Sequence, residues 1–130
     1  MKKSLIIMCM TLAGFSYAMA DAPRIEFAER AHDFGNIREE GGAVTHEFEF
    51  TNTGDEPLMI INASASCGCT RPEYPKKPVE PGKKSKIKVT FLPAGRPGEF
   101  NKTVTVKTNA HRARKVTLKI KGVVIPKKNN

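Results

Sequence analysis

Alternation of apolar and polar residues, in one short run after another, is the feature that most constrains the fold of this chain. Side chains at every second position of a β-strand lie on the same face, so a period of two predicts strands that bury one face only. The run Val44–Phe50 shows this period clearly, because its apolar residues and a histidine share one face while a threonine and two glutamates share the other. No stretch shows a convincing helical period, and the sequence therefore predicts an all-β chain.

About seven such runs, separated by turns rich in glycine and proline, predict a β-sandwich of two stacked sheets. The last three runs, at 85–91, 100–108 and 116–124, carry apolar residues on one face and lysines on the other, so we expect them to form one of the two sheets. The run Leu58–Ala63 is almost continuously apolar, which favours a central strand buried on both faces. Three prolines from Pro72 to Pro78 exclude a central strand there, because proline has no N–H for the sheet ladder.

The first 20 residues have the layout of a secretory signal peptide. Two lysines precede a mostly apolar run, Leu5–Ala18, and small residues at Ala18 and Ala20 suit a signal peptidase. The apolar run is shorter than the roughly 20 residues that a membrane-spanning helix needs. We therefore expect residues 1–20 to be removed, and residues 21–130 to form a single domain in the periplasm or outside the cell.

Several motifs occur in an order that is similar to one bacterial family. They are His32–Gly35, Phe48–Gly54 followed by Pro57–Leu58, Ser66–Thr70, Pro81–Gly82 and Gly98–Lys102. Over nearly all of the mature chain, this set resembles the family catalogued as domain of unknown function 1573. The resemblance implies an immunoglobulin-like β-sandwich, similar to domains of the major-sperm-protein and pilus-chaperone type, in a protein exported by Gram-negative bacteria. It carries over no catalytic residue, and implies only that the Cys-Gly-Cys-Thr segment belongs to the family pattern.

Cys67 and Cys69 are the only cysteines outside the predicted signal peptide. In a regular strand their Cα atoms would be about 6.6 Å apart, whereas a disulfide prefers about 5.5–6 Å. A bend at Gly68 would allow a disulfide, since glycine tolerates backbone angles that other residues avoid, and so small a ring would be strained and easily reduced. Packing of the two sulfurs, a site for a soft metal such as Cu(I) or Zn(II), redox exchange and an intermolecular bridge remain alternatives.

The three histidines, His32, His46 and His111, are far apart in sequence. His46 lies on the apolar face of its strand, which favours a hydrogen-bonded histidine in or near the core. His111 lies in a basic turn and is expected to be solvated. A metal site that joined His46 to the cysteines would require all of them on one surface of the fold.

The chain has a formal net charge of +9, and several of its basic residues fall on outward positions of the late strands. Clustered positive charge attracts polyanions such as anionic glycans or lipid head groups. The candidate polyanion-binding residues are Lys86, Lys88, Lys107, Arg112, Arg114, Lys119 and Lys121. The alternative is that lysines on a solvent face protect sheet edges from aggregation. Nucleic acid is not an expected ligand after export, since no exposed aromatic series accompanies the charges.

No catalytic pattern stands out in the sequence, so we expect a protein that is not an enzyme and has no cofactor. The first hypothesis is an exported interaction module that binds a cell-envelope protein or an anionic glycan through a sheet edge or a loop surface. The second is a thiol-dependent periplasmic protein that uses Cys67 and Cys69 for copper binding or redox exchange. The two hypotheses differ in whether the cysteine pair is needed for function.

Overall fold

A computed structural model describes residues 21–128, so the predicted signal peptide at residues 1–20 lies outside the described residues. The eight strands are β1 (Ile25–Phe27), β2 (Ala31–Arg38), β3 (Val44–Asn52), β4 (Ile60–Ala65), β5 (Thr70–Glu73), β6 (Lys84–Phe91), β7 (Gly98–Thr108) and β8 (Lys115–Ile125). The first sheet has the order β1-β3-β6-β5 and the second the order β2-β8-β7-β4. The predicted all-β sandwich is confirmed, with one strand more than expected. Residues 21–128 include no helix that is long and apolar enough to cross a membrane.

The core lies between the inner faces of the two sheets, as the period of two predicts. Phe48 and Phe50 of β3 are at most 1% exposed, while the glutamates that alternate with them are exposed. Phe91 of β6 and Phe100 of β7 stack with their ring centroids 3.9 Å apart, so these two rings join the sheets. Truncating one buried phenylalanine to alanine costs about 3–5 kcal/mol in proteins, so this aromatic layer contributes strongly to stability.

The expectation that the last three strands share a sheet is wrong. β6 lies between β3 and β5 in the first sheet, whereas β7 and β8 pair with each other in the second. The chain changes sheets in the loop at 92–97, between β6 and β7. Alternation does not reveal this change, because each strand buries one face whichever sheet it joins.

The expectation of a central strand at Leu58–Ala63 is also wrong. β4 lies at the edge of the second sheet, and Ile61 is 60% exposed. The pairing of β4 with β7 is irregular between Ile60 and Asn62, so Ile60 and Ala63 both reach the core although three positions separate them. The continuous apolar run therefore reflects a local irregularity of an edge strand.

The two open sides of the sandwich are formed by different pairs of edge strands. On one side, β1 ends the first sheet and β2 ends the second, and the chain crosses between them at 28–30. On the other side, β4 and β5 are the edges, and the chain crosses at 66–69. The edge position of β5 agrees with the prolines that exclude a central strand there. The first crossing carries Glu29, and the second carries Cys67 and Cys69.

Candidate functional site

The two cysteines lie in the second of these crossings, a turn at 66–69 that we call the cysteine turn. Backbone hydrogen bonds fix it to both sheets. The N–H of Ser66 donates to the carbonyl of Thr103 in β7 at 3.0 Å, and the N–H of Leu92, just after β6, donates to the carbonyl of Cys69 at 2.8 Å. The cysteine turn is thus part of the framework of the sandwich rather than a free loop.

The geometry of the cysteine turn brings the sulfur atoms of Cys67 and Cys69 into contact. Their Cα atoms are 5.3 Å apart, close to the separation that a disulfide prefers. Gly68 lies between them without a positive φ, so the bend does not depend on the conformational freedom of glycine. Cys69 is 1% exposed and Cys67 is half-buried, so solvent and partners reach the sulfur of Cys67 first.

A backbone donor also points at the outer sulfur. The N–H of Cys69 donates to Sγ of Cys67 at 3.0 Å. A donor at this distance favours negative charge on sulfur.

The opposite crossing brings together three side chains that we call the histidine cluster: Glu29, His32 and His46. Their potential ligand atoms all lie within 4.8 Å of one another. Glu29 lies in the segment between β1 and β2, His32 lies in β2 of the second sheet, and His46 lies in β3 of the first. Both histidines occupy inward positions of their strands, at the open side of the sandwich, and are half-buried.

Contacts within the histidine cluster are close. The rings of His32 and His46 stack with their centroids 3.6 Å apart and an angle of 6° between their planes. Nε2 of His46 is hydrogen-bonded to Oε1 of Glu29 at 2.5 Å. Phe34 and Phe48 meet the stacked pair edge-on, with centroid distances of 4.6 Å to His32 and 4.8 Å to His46. The aromatic neighbours thus hold both imidazoles in place at the mouth of the core.

Electrostatics in the cluster favour the neutral form of one ring. Partial burial lowers the pKa of His32 below its ordinary value, and the adjacent His46 lowers it further, while the carboxylates of Glu29 and Asp33 act in the opposite direction. A lowered pKa keeps the imidazole of His32 uncharged to a lower pH. An uncharged imidazole offers a nitrogen lone pair to a hydrogen-bond donor or a metal ion.

The structure does not unite His46 with the cysteines. His46 pairs with Val89 in β6, and Val89 pairs with Pro72 in β5, the edge strand that directly follows the cysteine turn. Two strand spacings of about 4.8 Å each therefore separate His46 from β5. The satisfied, near-core position expected for His46 agrees with its hydrogen bond and partial burial. The sequence did not indicate its partners, because Glu29 and His32 reach it only through the crossing between the sheets. His111 is exposed in the turn between β7 and β8.

The predicted polyanion-binding residues are divided between two outer faces. Lys86 and Lys88 project from β6 on the first sheet, and Lys107, Lys119 and Lys121 project from β7 and β8 on the second. Arg112 and Arg114 lie in the turn between β7 and β8. The seven residues therefore do not form one surface, because the strands that carry them belong to different sheets.

The two outer faces differ in how their lysines are compensated. On the first sheet, Lys86 lies 3.0 Å from Glu47 and Lys88 lies 4.0 Å from Glu73. Lys84 of the same strand lies 4.0 Å from a third glutamate. The salt bridges found within residues 21–128 include none formed by a lysine of the second sheet.

The second-sheet surface, here called the basic face, comprises Lys107, Lys115, Lys119 and Lys121 with Arg112 and Arg114 of the adjoining turn. Lys107 and Lys115 pair directly across β7 and β8. Near Lys121 the surface forms an open depression of about 490 Å³ that is also lined by Asp33 and Glu99. Positive charge is therefore concentrated toward the β7–β8 turn.

The two four-stranded sheets and the crossings between them define an immunoglobulin-like sandwich of the PapD-like type. The chain belongs to the family described as protein of unknown function (DUF1573), whose model matches residues 25–124. No curated protein matches the sequence.

Solved structures that share the fold come from bacteria and from humans. A protein of unknown function from Porphyromonas gingivalis has a TM-score of 0.72 at 16% identity, over 85% of this chain and 51% of that one. This chain thus spans about half the length of that protein. PapD-like domain 7 of human CEP192 has a TM-score of 0.67 at 16% identity, over 98% of this chain and 99% of that one. The VesB protease of Vibrio cholerae has a TM-score of 0.63 at 13% identity, over 78% of this chain and 32% of that one.

Proposed function

We propose that the mature chain is an exported, non-enzymatic interaction module that binds an anionic glycan of the cell envelope through its basic face. The signal-like residues 1–20 support export. A PapD-like sandwich supports an interaction role, because such a framework presents long strand surfaces and loops to partners. The match to VesB shares the fold at 13% identity over 32% of that protease and carries no activity to this chain.

The observation that carries the proposal is the difference in charge compensation between the two outer faces. Lysines of the first sheet each have a glutamate within 4.0 Å. Lysines of the basic face have no such partner among the described residues. If lysines served only to solubilise the sandwich, the same pattern would suit both faces. A repeating anion would supply the missing negative charge.

Two local features of the basic face lower the stability of the fold. Lys107 and Lys115 are directly opposite each other, and like charges at such positions are destabilising. Arg112 adopts a φ of 58°, a conformation that costs a residue with a Cβ roughly 1–2 kcal/mol. An anionic ligand that spans the turn and the strands would relieve the repulsion between the two lysines.

Binding to a charged polymer and to its neutral parent tests the proposal. Residues 21–130 would be titrated with fluorescent dextran sulfate and with unsulfated dextran over a range of salt concentrations. We expect the domain to bind dextran sulfate and not dextran. The affinity should fall as the salt concentration rises, because salt screens the attraction between the lysines and the sulfate groups.

Matched double variants locate the surface. Lys107→Gln with Lys119→Gln removes two charges from the basic face, and Lys86→Gln with Lys88→Gln removes two from the first sheet. We expect the first pair to weaken binding about tenfold or more, which corresponds to about 1.4 kcal/mol, and the second to change it little. Equal losses in the two variants would mean that net charge alone attracts the polymer, and absence of binding at physiological salt would overturn the proposal.

A second candidate function, thiol exchange by the cysteine turn, is favoured by the hydrogen bond from the Cys69 N–H to Sγ of Cys67. In this role the thiolate of Cys67 attacks a partner disulfide and forms a mixed disulfide, and Cys69 then attacks Cys67 Sγ to release the partner thiol. Single variants Cys69→Ala and Cys67→Ala, reacted with glutathione disulfide, test it. We expect the remaining Cys67 to react faster than the remaining Cys69, and equal or reversed rates would contradict the assignment.

A further inference from the structure

The crossing between β1 and β2 leaves a gap in the first sheet that the histidine cluster occupies. β1 pairs only with the last residues of β3, its end Phe27 lying opposite Phe50. Beyond that point, within the described residues, no strand covers this edge of β3. The chain instead passes to the second sheet and carries Glu29 past His46.

We propose that Glu29, His32 and His46 bind a divalent transition-metal ion of the Zn²⁺ class. Two imidazole nitrogens and one carboxylate oxygen form a ligand set that such ions accept in proteins. With three protein ligands, a fourth coordination position would remain open to water or to a ligand atom of a partner. This site is separate from the basic face and from the cysteine turn, and it does not depend on either proposed role.

The three potential ligand atoms are close enough to share an ion once the histidine stack opens. Bonds of about 2.1 Å in a tetrahedral site place neighbouring ligand atoms about 3.4 Å apart, and the three ligand atoms here lie within 4.8 Å of one another. Glu29 lies outside the strands with a side chain 49% exposed, so it can move toward the rings. The planes of the stacked imidazoles differ by only 6°, so their in-plane lone pairs do not converge, and binding requires one ring to rotate out of the stack.

The partial burial of the cluster favours a bound ion over a chance surface contact. The side chain of His46 is 21% exposed, and its ring is held by the stack and by Phe48. Without a metal, the three polar side chains lie at the mouth of an apolar core, and the hydrogen bond between them joins His46 to Glu29.

A purely structural role for the stack makes a different prediction about metal binding. A histidine pair that only closes the open side of the sandwich would need neither the carboxylate nor an ion. Glu29→Gln separates the two roles, because glutamine keeps the size and hydrogen-bonding capacity of the exposed side chain and removes its charge. Its effect on folding is therefore expected to be small.

The test is isothermal titration calorimetry. Residues 21–130 would be treated with a chelator, dialysed and then titrated with Zn²⁺, and the melting temperature would be measured with and without the ion. We expect one ion per chain and a rise in melting temperature, with no comparable response to Mg²⁺ or Ca²⁺, which prefer oxygen ligands. Glu29→Gln, His32→Gln and His46→Gln should each weaken binding about tenfold or more. Circular dichroism would establish that each variant is folded.

Two controls make the result specific to the cluster. His111→Gln removes an exposed histidine outside the cluster, and Cys67→Ser with Cys69→Ala removes both thiols; neither change should alter the stoichiometry or affinity for Zn²⁺. No binding by the wild-type domain, unchanged binding by folded Glu29→Gln and His46→Gln, or loss of binding only in the cysteine variant would each overturn the proposal.

Discussion

The side-chain amide of Asn52 is fully buried and donates a 2.9 Å hydrogen bond to the backbone carbonyl of Val79. The same nitrogen donates to the carbonyl of Glu56 at 2.7 Å, and the amide oxygen accepts from the N–H groups of Gly54 at 2.9 Å and Arg24 at 3.4 Å. One side chain thus links the start of β1, the turn after β3 and the segment before β6.

We expect Asn52→Ala to lower the free energy of unfolding by about 3 kcal/mol, because it removes four hydrogen bonds, one buried and three part-buried, and each contributes about 1 kcal/mol. Asn101→Ala, at an exposed position of β7, is the control and should stay within about 0.5 kcal/mol of the wild type. Urea denaturation at neutral pH measures both. If the two variants had similar free energies of unfolding, water would be replacing the hydrogen bonds that Asn52 makes.

Gly122 of β8 is predicted to tolerate no larger residue. A Cβ built there would lie 2.8 Å from the carbonyl oxygen of Gly35 and 2.8 Å from Cε1 of Phe100. Gly122→Ala should therefore destabilise the sandwich by about 1–3 kcal/mol, since the ring and the neighbouring strand must move apart. Gly68→Ala is a matched control, because no atom lies within 4 Å of the place that its new methyl group would take, and its φ is not positive. Thermal unfolding of the two variants would be compared, and an equal effect would contradict the steric explanation.

The buried and exposed faces of individual strands could be predicted from the sequence, because alternation is a local property. Phe48, Phe50, Ile87 and Val89 are all in the core as their spacing indicates. The family resemblance is confirmed by the family model that matches residues 25–124, and the immunoglobulin-like class that it implied is confirmed by the two four-stranded sheets and their PapD-like neighbours.

What the sequence could not reveal is which strands share a sheet and which residues meet across the open sides. The candidate basic residues follow one another along the late strands, but the crossing after β6 places Lys86 on one outer face and Lys119 on the other. The histidine cluster joins residues from both sheets and the segment between them, and no spacing rule relates Glu29 to His46. Such long-range juxtapositions depend on topology, which alternation leaves open.

Adjacent isoleucines in β4 offer a direct check of the edge position of this strand. Ile60 is 4% exposed and Ile61 is 60% exposed. Ile60→Ala should cost about 2–5 kcal/mol, as for other buried aliphatic residues, whereas Ile61→Ala should change stability by about 0.5 kcal/mol or less. Equilibrium unfolding in denaturant distinguishes the two positions. A large loss for Ile61→Ala would instead support a strand covered on both faces.

The oxidation state of the cysteine turn is the prediction that bears most directly on the two proposed functions. The Cα separation of 5.3 Å and the contact between the sulfurs favour a Cys67–Cys69 disulfide in an oxidising compartment. We expect the mature protein, alkylated without reduction, to have an intact mass lighter by two hydrogens and to carry no label. Two labels would show free thiols and would direct attention to Cu(I) binding.

Reduction of this disulfide should change stability only modestly. A closed loop of three residues constrains the unfolded chain little, and the chain-entropy relation gives about 1.6 kcal/mol. Cys67→Ser with Cys69→Ala should therefore remain folded, with alanine chosen at the buried position to avoid an unpaired hydroxyl. Its unfolding curve would be measured beside oxidised and reduced wild-type protein. If the variant and the reduced protein both fail to fold, the bridge is a structural requirement, and a role in thiol exchange, which needs a folded reduced state, is excluded.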